Sequence, residues 1–200
     1  MKFVFDKNPK NDKGLTPLHY AAMKGHMQIC QIILKVVKDK NPMNNSGETP
    51  LHFAASNGHL DVYEFIMEKI MDKNPKDNFG WTPLHYAAMY GHFQICLNIL
   101  RAVKDRNPMN NSGETPLHFA ASNGHLETYK LIMEKVMDIN PKDNFGWTPL
   151  HHAAKNGHFQ IYKLIIMSDH DEKFPMTDCG LTPTQLAEQY GNFNISRFLF

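Results

Sequence analysis

Along residues 82–100 the apolar side chains fall into two short sets at helical spacing. Leu84, Ala87 and Ala88 share one face of a first helix, and Phe93, Ile95, Cys96, Ile99 and Leu100 share a face of a second. Thr82 can cap the first helix with its hydroxyl, and Pro83 suits the first helical position, where its missing N–H costs nothing. Gly91 closes that helix, because only glycine takes the left-handed cap cheaply. Beyond the second helix, Asn107-Pro108 opens a polar turn that leads to Gly113 and another Thr-Pro. The alanines leave room for a neighbouring helix to approach closely.

The unit recurs. "TPLH" stands at 16–19, 49–52, 82–85, 115–118 and 148–151, always 33 residues apart. Gly14, Gly47, Gly80, Gly113 and Gly146 precede it, and Gly25, Gly58, Gly91, Gly124 and Gly157 follow it. A degenerate copy, "GLTPTQLAEQYGN" at 180–192, comes after a spacing of 34. One such unit cannot bury its apolar face alone, whereas stacked neighbours can.

This period with Thr-Pro-Leu-His-x-Ala resembles the ankyrin-repeat family over essentially the whole chain. The resemblance implies an all-α solenoid of stacked helix-turn-helix units joined by β-hairpin-like turns. It divides one continuous domain into the end of a preceding partial repeat (1–13), repeats 1 to 5 (14–46, 47–79, 80–112, 113–145, 146–179) and a degenerate or truncated terminal repeat (180–200). Where the family commonly closes the second helix with glycine, this chain has Val37, Ile70, Val103 and Val136. Those helices are therefore expected to run about a turn longer, stopped by Asn-Pro at 41–42, 74–75, 107–108 and 140–141. Repeat 5 carries "MSDHDEKFP" instead, with one extra residue, so its join is expected to be irregular. "FVFDKNPKNDKG" at the start resembles "KIMDKNPKDNFG" at 69–80, and "FNISRFLF" covers only the start of a second helix. Both ends fit a piece of a longer array, with a degenerate cap at 180–200 as the alternative.

Composition narrows the function classes. The 21 Lys+Arg nearly cancel the 20 Asp+Glu, and no run of like charge exceeds two residues. A nucleic-acid or membrane-surface footprint needs clustered basic residues, so neither partner is expected. "MKFVF" is too short for a signal-peptide core, and no apolar stretch approaches the ~20 residues of a membrane-spanning helix. Asn44, Asn110 and Asn194 match the glycosylation pattern, which matters only in a secreted protein. The odd, sparse set Cys30, Cys96 and Cys179 fits a reducing compartment, so a cytoplasmic location is expected.

Twelve histidines invite a metal or catalytic reading. Ten form two ladders: His19, His52, His85, His118, His151, and His26, His59, His92, His125, His158. Stacked rungs lie roughly 8–10 Å apart, whereas zinc needs ligands about 2.0–2.1 Å from one ion. The ladders are expected to hydrogen-bond the turns and the adjoining unit. His170, with Asp169, Asp171 and Glu172, stands outside the repeat; it is read as a solvated helix end, with hard-cation ligation as the sharper alternative. Cys30 and Cys96 fill the same slot two repeats apart, roughly 20 Å by helix stacking, and are expected to be buried thiols. No nucleophile elbow, phosphate loop, zinc motif or acid/base carboxylate pair is found along the chain. No enzyme activity, metal or cofactor is expected.

Function in a repeat array sits where the copies differ. The family's contact surface is the turn at the first glycine with the inner face of the first helix. Those positions read Phe79, Trp81, Met89, Tyr90 across the turn into repeat 3 and its first helix, and Phe145, Trp147, Lys155, Asn156 across the turn into repeat 5 and its first helix. The turns into repeats 2 and 4 with their first helices read Ser46, Glu48, Ser56, Asn57 and Ser112, Glu114, Ser122, Asn123. The second helices alternate too, so a 66-residue pair of repeats has been copied, and alternation alone reports duplication. The expectation is a protein-interaction module presenting a concave surface to a protein partner of unknown identity, with the chain itself a monomer. Phe79, Trp81, Met89, Tyr90, Phe145 and Trp147 are the apolar contacts, and Glu48 and Glu114 the rim charges. Against it stand tryptophans that merely pack on neighbouring turns, a structural spacer, and a substrate-recruiting arm of a larger protein.

Overall fold

A computed structural model describes residues 7–168 and 175–198. The His170 motif lies outside these residues. Twelve helices in six pairs run through them: α1 (Pro17–Met23) and α2 (Met27–Val36), α3 (Pro50–Ser56) and α4 (Leu60–Met67), α5 (Pro83–Met89) and α6 (Phe93–Ala102), α7 (Pro116–Ser122) and α8 (Leu126–Met133), α9 (Pro149–Lys155) and α10 (Phe159–Ser168), α11 (Pro183–Gln189) and α12 (Phe193–Ser196). No strand occurs among the described residues. Each first helix packs on the first helix of the next pair, and the second helices stack likewise. The result is the expected one-dimensional array.

The core runs between the two layers of helices. Leu18, Leu51, Leu84, Leu117 and Leu150 are buried, and so are the alanine pairs beside them, such as Ala87 and Ala88. Small side chains on the first helices let successive first helices pack closely. Cys30 and Cys96 are fully buried as expected, and Tyr63 and Tyr129 fill the corresponding slot in the alternate repeats. Both tyrosine hydroxyls donate to a carbonyl of the following loop, on Lys73 and Ile139.

Both histidine ladders tie neighbouring repeats together. In α5, the Nδ1 of His85 accepts the backbone N–H of Thr82 at 3.0 Å, so its proton sits on Nε2. That Nε2 donates to the carbonyl of Glu114 in the next repeat at 3.2 Å. The imidazole thus stands in for the Glu or Gln of a capping box while bridging two units. Gln185 takes the same place in the last pair, accepting from Thr182 N–H at 2.9 Å. In the second ladder, His125 bonds the Met89 carbonyl at 3.0 Å across the repeat boundary. Its ring lies over Gly91, where a Cβ would stand 2.5 Å from Nδ1, and Gly91 also has φ +71°.

The second helices end earlier than their sequences suggest. Val37 and Val103 are already extended, and α4 and α8 stop at Met67 and Met133, well short of Asn-Pro. Basic side chains replace the missing turn. Lys40 reaches back to the carbonyls of Leu34 and Val37, Lys73 to those of Met67 and Ile70, and Arg106 to that of Leu100. These cations satisfy helix-end carbonyls at the negative end of the dipole. Asn74 and Asn140 then cap the next first helix, accepting the N–H of Leu84 at 3.0 Å and of Leu150 at 2.9 Å.

Candidate functional site

The turns between pairs project as fingers with hairpin-like bonding. In the third finger Asp77 N–H donates to Trp81 O and Gly80 N–H to Asp77 O. Adjacent fingers are joined by Asn78 N–H to Ser46 O and Asn111 N–H to Phe79 O. One carboxylate oxygen of Asp77 accepts the N–H of both Phe79 and Trp81 at 2.8 Å, and Asp143 does the same for Phe145 and Trp147. In the alternate fingers Asn44 and Asn110 hold Ser46, Glu48, Ser112 and Glu114 through identical bonds at 2.9 Å. The backbone is therefore fixed the same way whatever side chain it carries. Phe79 and Phe145 stand at the tips, 63% and 62% exposed. Tyr90 caps the end of α5 and is 49% exposed, while Met89 is half-buried beside it.

The tryptophans, expected as apolar contacts, are less accessible than the phenylalanines beside them. Both are half-buried. The Trp81 ring lies 5.2 Å from that of Tyr86 and 4.3 Å from that of Phe119 in the next first helix. The Trp147 ring lies 5.2 Å from that of His152, with the Lys155 ammonium 5.3 Å above it. An indole at this turn is large enough to fold back over the adjacent first helix, where the shorter Glu48 and Glu114 reach only polar groups.

Those contacts bring in a further slot of the repeat. Directly after "TPLH" come Tyr20, Phe53, Tyr86, Phe119 and His152. Interleaved with Leu15, Glu48, Trp81, Glu114 and Trp147, they form a stripe across the face of turns and first helices. Between repeats 2 and 3 the stripe is polar: the Tyr86 hydroxyl donates to Glu48 at 3.3 Å, with Asp77 at 3.4 Å as a second acceptor. Between repeats 4 and 5 the corresponding residues are Glu114, Asp143 and His152, and one ligand atom from each lies within 4.8 Å of the others. Their spacing of 29 and 9 residues matches no linear motif, and "LHH" hid the off-ladder histidine beside a ladder one.

Burial sets the chemistry of these groups. It pushes the Tyr86 hydroxyl well above its ordinary range, reinforced by the Glu48 and Asp77 carboxylates. It holds His85 down to about 3 and His118, His151 and His152 down to about 4, so all are neutral at pH 7. The Cys30 thiol is pushed up to about 11, chiefly by burial, and is inert as a nucleophile.

Family models for ankyrin repeats (3 copies) match residues 1–77 and 69–143, and one for ankyrin repeats (many copies) matches 124–166. A search of curated proteins returned no match. No helix among the described residues is long and apolar enough to cross a membrane.

Proposed function

The chain belongs to the ankyrin-repeat family, whose repeats are typically non-catalytic protein-interaction modules, and we propose that its face of turns and first helices docks a protein partner. The observation that carries this reading is the pair Phe79 and Phe145. Both are exposed at the tips of fingers whose backbone bonds are met equally well with serine. No framework role requires a phenyl ring there. Phe79, Tyr90 and Phe145 are the accessible anchors, and aromatic side chains of this size each bury about 150–250 Å² in an interface. Trp81, Met89 and Trp147 form the half-buried floor between them. Glu48 and Glu114 supply negative charge beside the anchors, which favours a partner with an apolar segment flanked by basic residues.

The test is capture of a partner by the immobilised chain and by its Phe79→Ser/Phe145→Ser variant. Serine at these positions reproduces repeats 2 and 4, so the variant is expected to fold. A matched control, Met71→Ser/Met137→Ser, removes two methionines that are fully exposed beyond the second helices. Loss of capture in the phenylalanine variant alone is expected. Loss only in the methionine control would move the interface to the loops beyond the second helices, and retention in both would reject this face.

A further inference from the structure

We propose that Glu114, Asp143 and His152 form a binding site for a divalent transition-metal ion of the Zn²⁺ type, built across the junction of repeats 4 and 5. Two carboxylate oxygens and one imidazole nitrogen suit such an ion better than Mg²⁺ or Ca²⁺, which prefer all-oxygen shells. The three ligand atoms lie within 4.8 Å of one another. A tetrahedral shell at ordinary zinc distances separates ligands by about 3.4 Å, so small side-chain rotations close the site.

Each ligand is already oriented by a neighbour. Glu114 Oε2 accepts the side-chain N–H of Asn110 at 2.9 Å, leaving its other oxygen available. Asp143 Oδ1 is held by the N–H groups of Phe145 and Trp147, leaving Oδ2. Such outer contacts fix ligand direction and raise affinity. The Nε2 of His152 is buried and finds no hydrogen-bond partner among the described residues. Its ring is held edge-on by His118 at 5.7 Å, and His118 itself has both nitrogens committed, to Thr115 N–H and the Trp147 carbonyl. Lys155, held over the rings of Trp147 and Tyr190, is a neighbouring cation that two carboxylates outweigh.

The molecule contains its own control. Glu48, Asp77 and Tyr86 occupy the same three positions one 66-residue unit earlier. There the Tyr86 hydroxyl spans the two carboxylates as a hydrogen-bond donor. With histidine in its place, the carboxylates lose that donor and have an imidazole nitrogen within 4.8 Å, which a cation can join to them. A single residue separates a hydrogen-bonded bridge from a ligand set.

The inference rests on other observations than the docking proposal, although Glu114 takes part in both. Its test is calorimetric titration of the full 200-residue chain, stripped of metal, with Zn²⁺ at neutral pH. The wild-type chain is expected to bind one ion. His152→Tyr restores the arrangement at Tyr86, keeps the fold by that precedent, and is expected to weaken binding ~100-fold or more. Tyr86→His is expected to add a second ion of similar affinity. Wild-type binding that His152→Tyr leaves unchanged, no stoichiometric binding by the wild type, or no second ion in Tyr86→His would overturn the assignment.

Discussion

Repeats 2–3 and repeats 4–5 are two copies of one unit that share their caps, fingers and first-helix core. They differ on the face of turns and first helices and at second-helix core slots, where Cys96 has become Tyr162 and Val62 has become Thr128. Leu84 and Leu150 are equally buried, His85 and His151 make the same capping and bridging bonds, and Asp77 and Asp143 hold their fingers identically. On the face, Tyr86 has become His152, Met89 has become Lys155 and Tyr90 has become Asn156. The difference teaches where the fold is over-determined. Every finger and cap is fixed by backbone and by side chains that point inward or between repeats. Residues of the stripe can therefore change chemistry without changing the frame.

The largest effects should fall where the copies agree. Leu84→Ala and Leu150→Ala are each expected to cost about 2–5 kcal/mol from lost burial and the cavity left behind. Because the array's stability is a sum over neighbours, thermal unfolding followed by circular dichroism should broaden or split in both variants. A clearly milder cost in one copy would break the equivalence of the two frames.

Acid comes next. Burial lowers His85 to about 3, and His118, His151 and His152 to about 4, from 6.5. A depressed folded-state value means the unfolded chain binds the extra protons. The contribution is fully present above pH 6.5 and is lost as pH falls toward 4. Each pH unit in that window costs up to about 1.4 kcal/mol per histidine. With a chelator present, His152→Tyr should reduce the slope of stability against pH by about one proton, and Tyr86→His should steepen it. Denaturant titrations at several pH values measure both, and unchanged slopes would show that His152 is not held neutral by the fold.

The polar bridge gives a smaller effect. Tyr86→Phe removes the hydroxyl between Glu48 and Asp77 and should cost about 1 kcal/mol in urea unfolding. His152→Tyr should raise stability by a similar amount or leave it unchanged, since it restores that bond. The smallest effect belongs to the finger tips: Phe79→Ser with Phe145→Ser should move stability by no more than ~0.5 kcal/mol per site. A sharp fall in midpoint there would make the phenyl rings packing residues.

Much of this was legible in the chain. The 33-residue period, the Thr-Pro starts and the paired glycines determine where the helix pairs lie. The second-helix ends were not, because a valine without a following breaker reads as continuing helix. The chain leaves the helix at Val37 and Val103 to bring Asn-Pro under the next repeat, and Lys40 and Arg106 satisfy the carbonyls so exposed. At the candidate site, Phe79, Phe145 and Tyr90 could be placed from their slots. The half-burial of Trp81 could not, since it depends on Phe119, a residue 38 positions on in the next unit. His152 was hidden by its ladder neighbour. The signal that could have found it was the slot after "TPLH", filled by tyrosine or phenylalanine in the other four copies and by an imidazole there.

The central claim is that a protein partner sits on the stripe, and the chain carries its own reporters for it. Its two tryptophans, Trp81 and Trp147, are both on that face. The direct measurement is fluorine NMR of the chain labelled with fluorotryptophan, its two resonances assigned by Trp81→Phe and Trp147→Phe and followed as the captured partner is added. Both resonances should shift or broaden in step with complex formation. A complex that forms at full stoichiometry while both resonances stay in place would put the interface elsewhere.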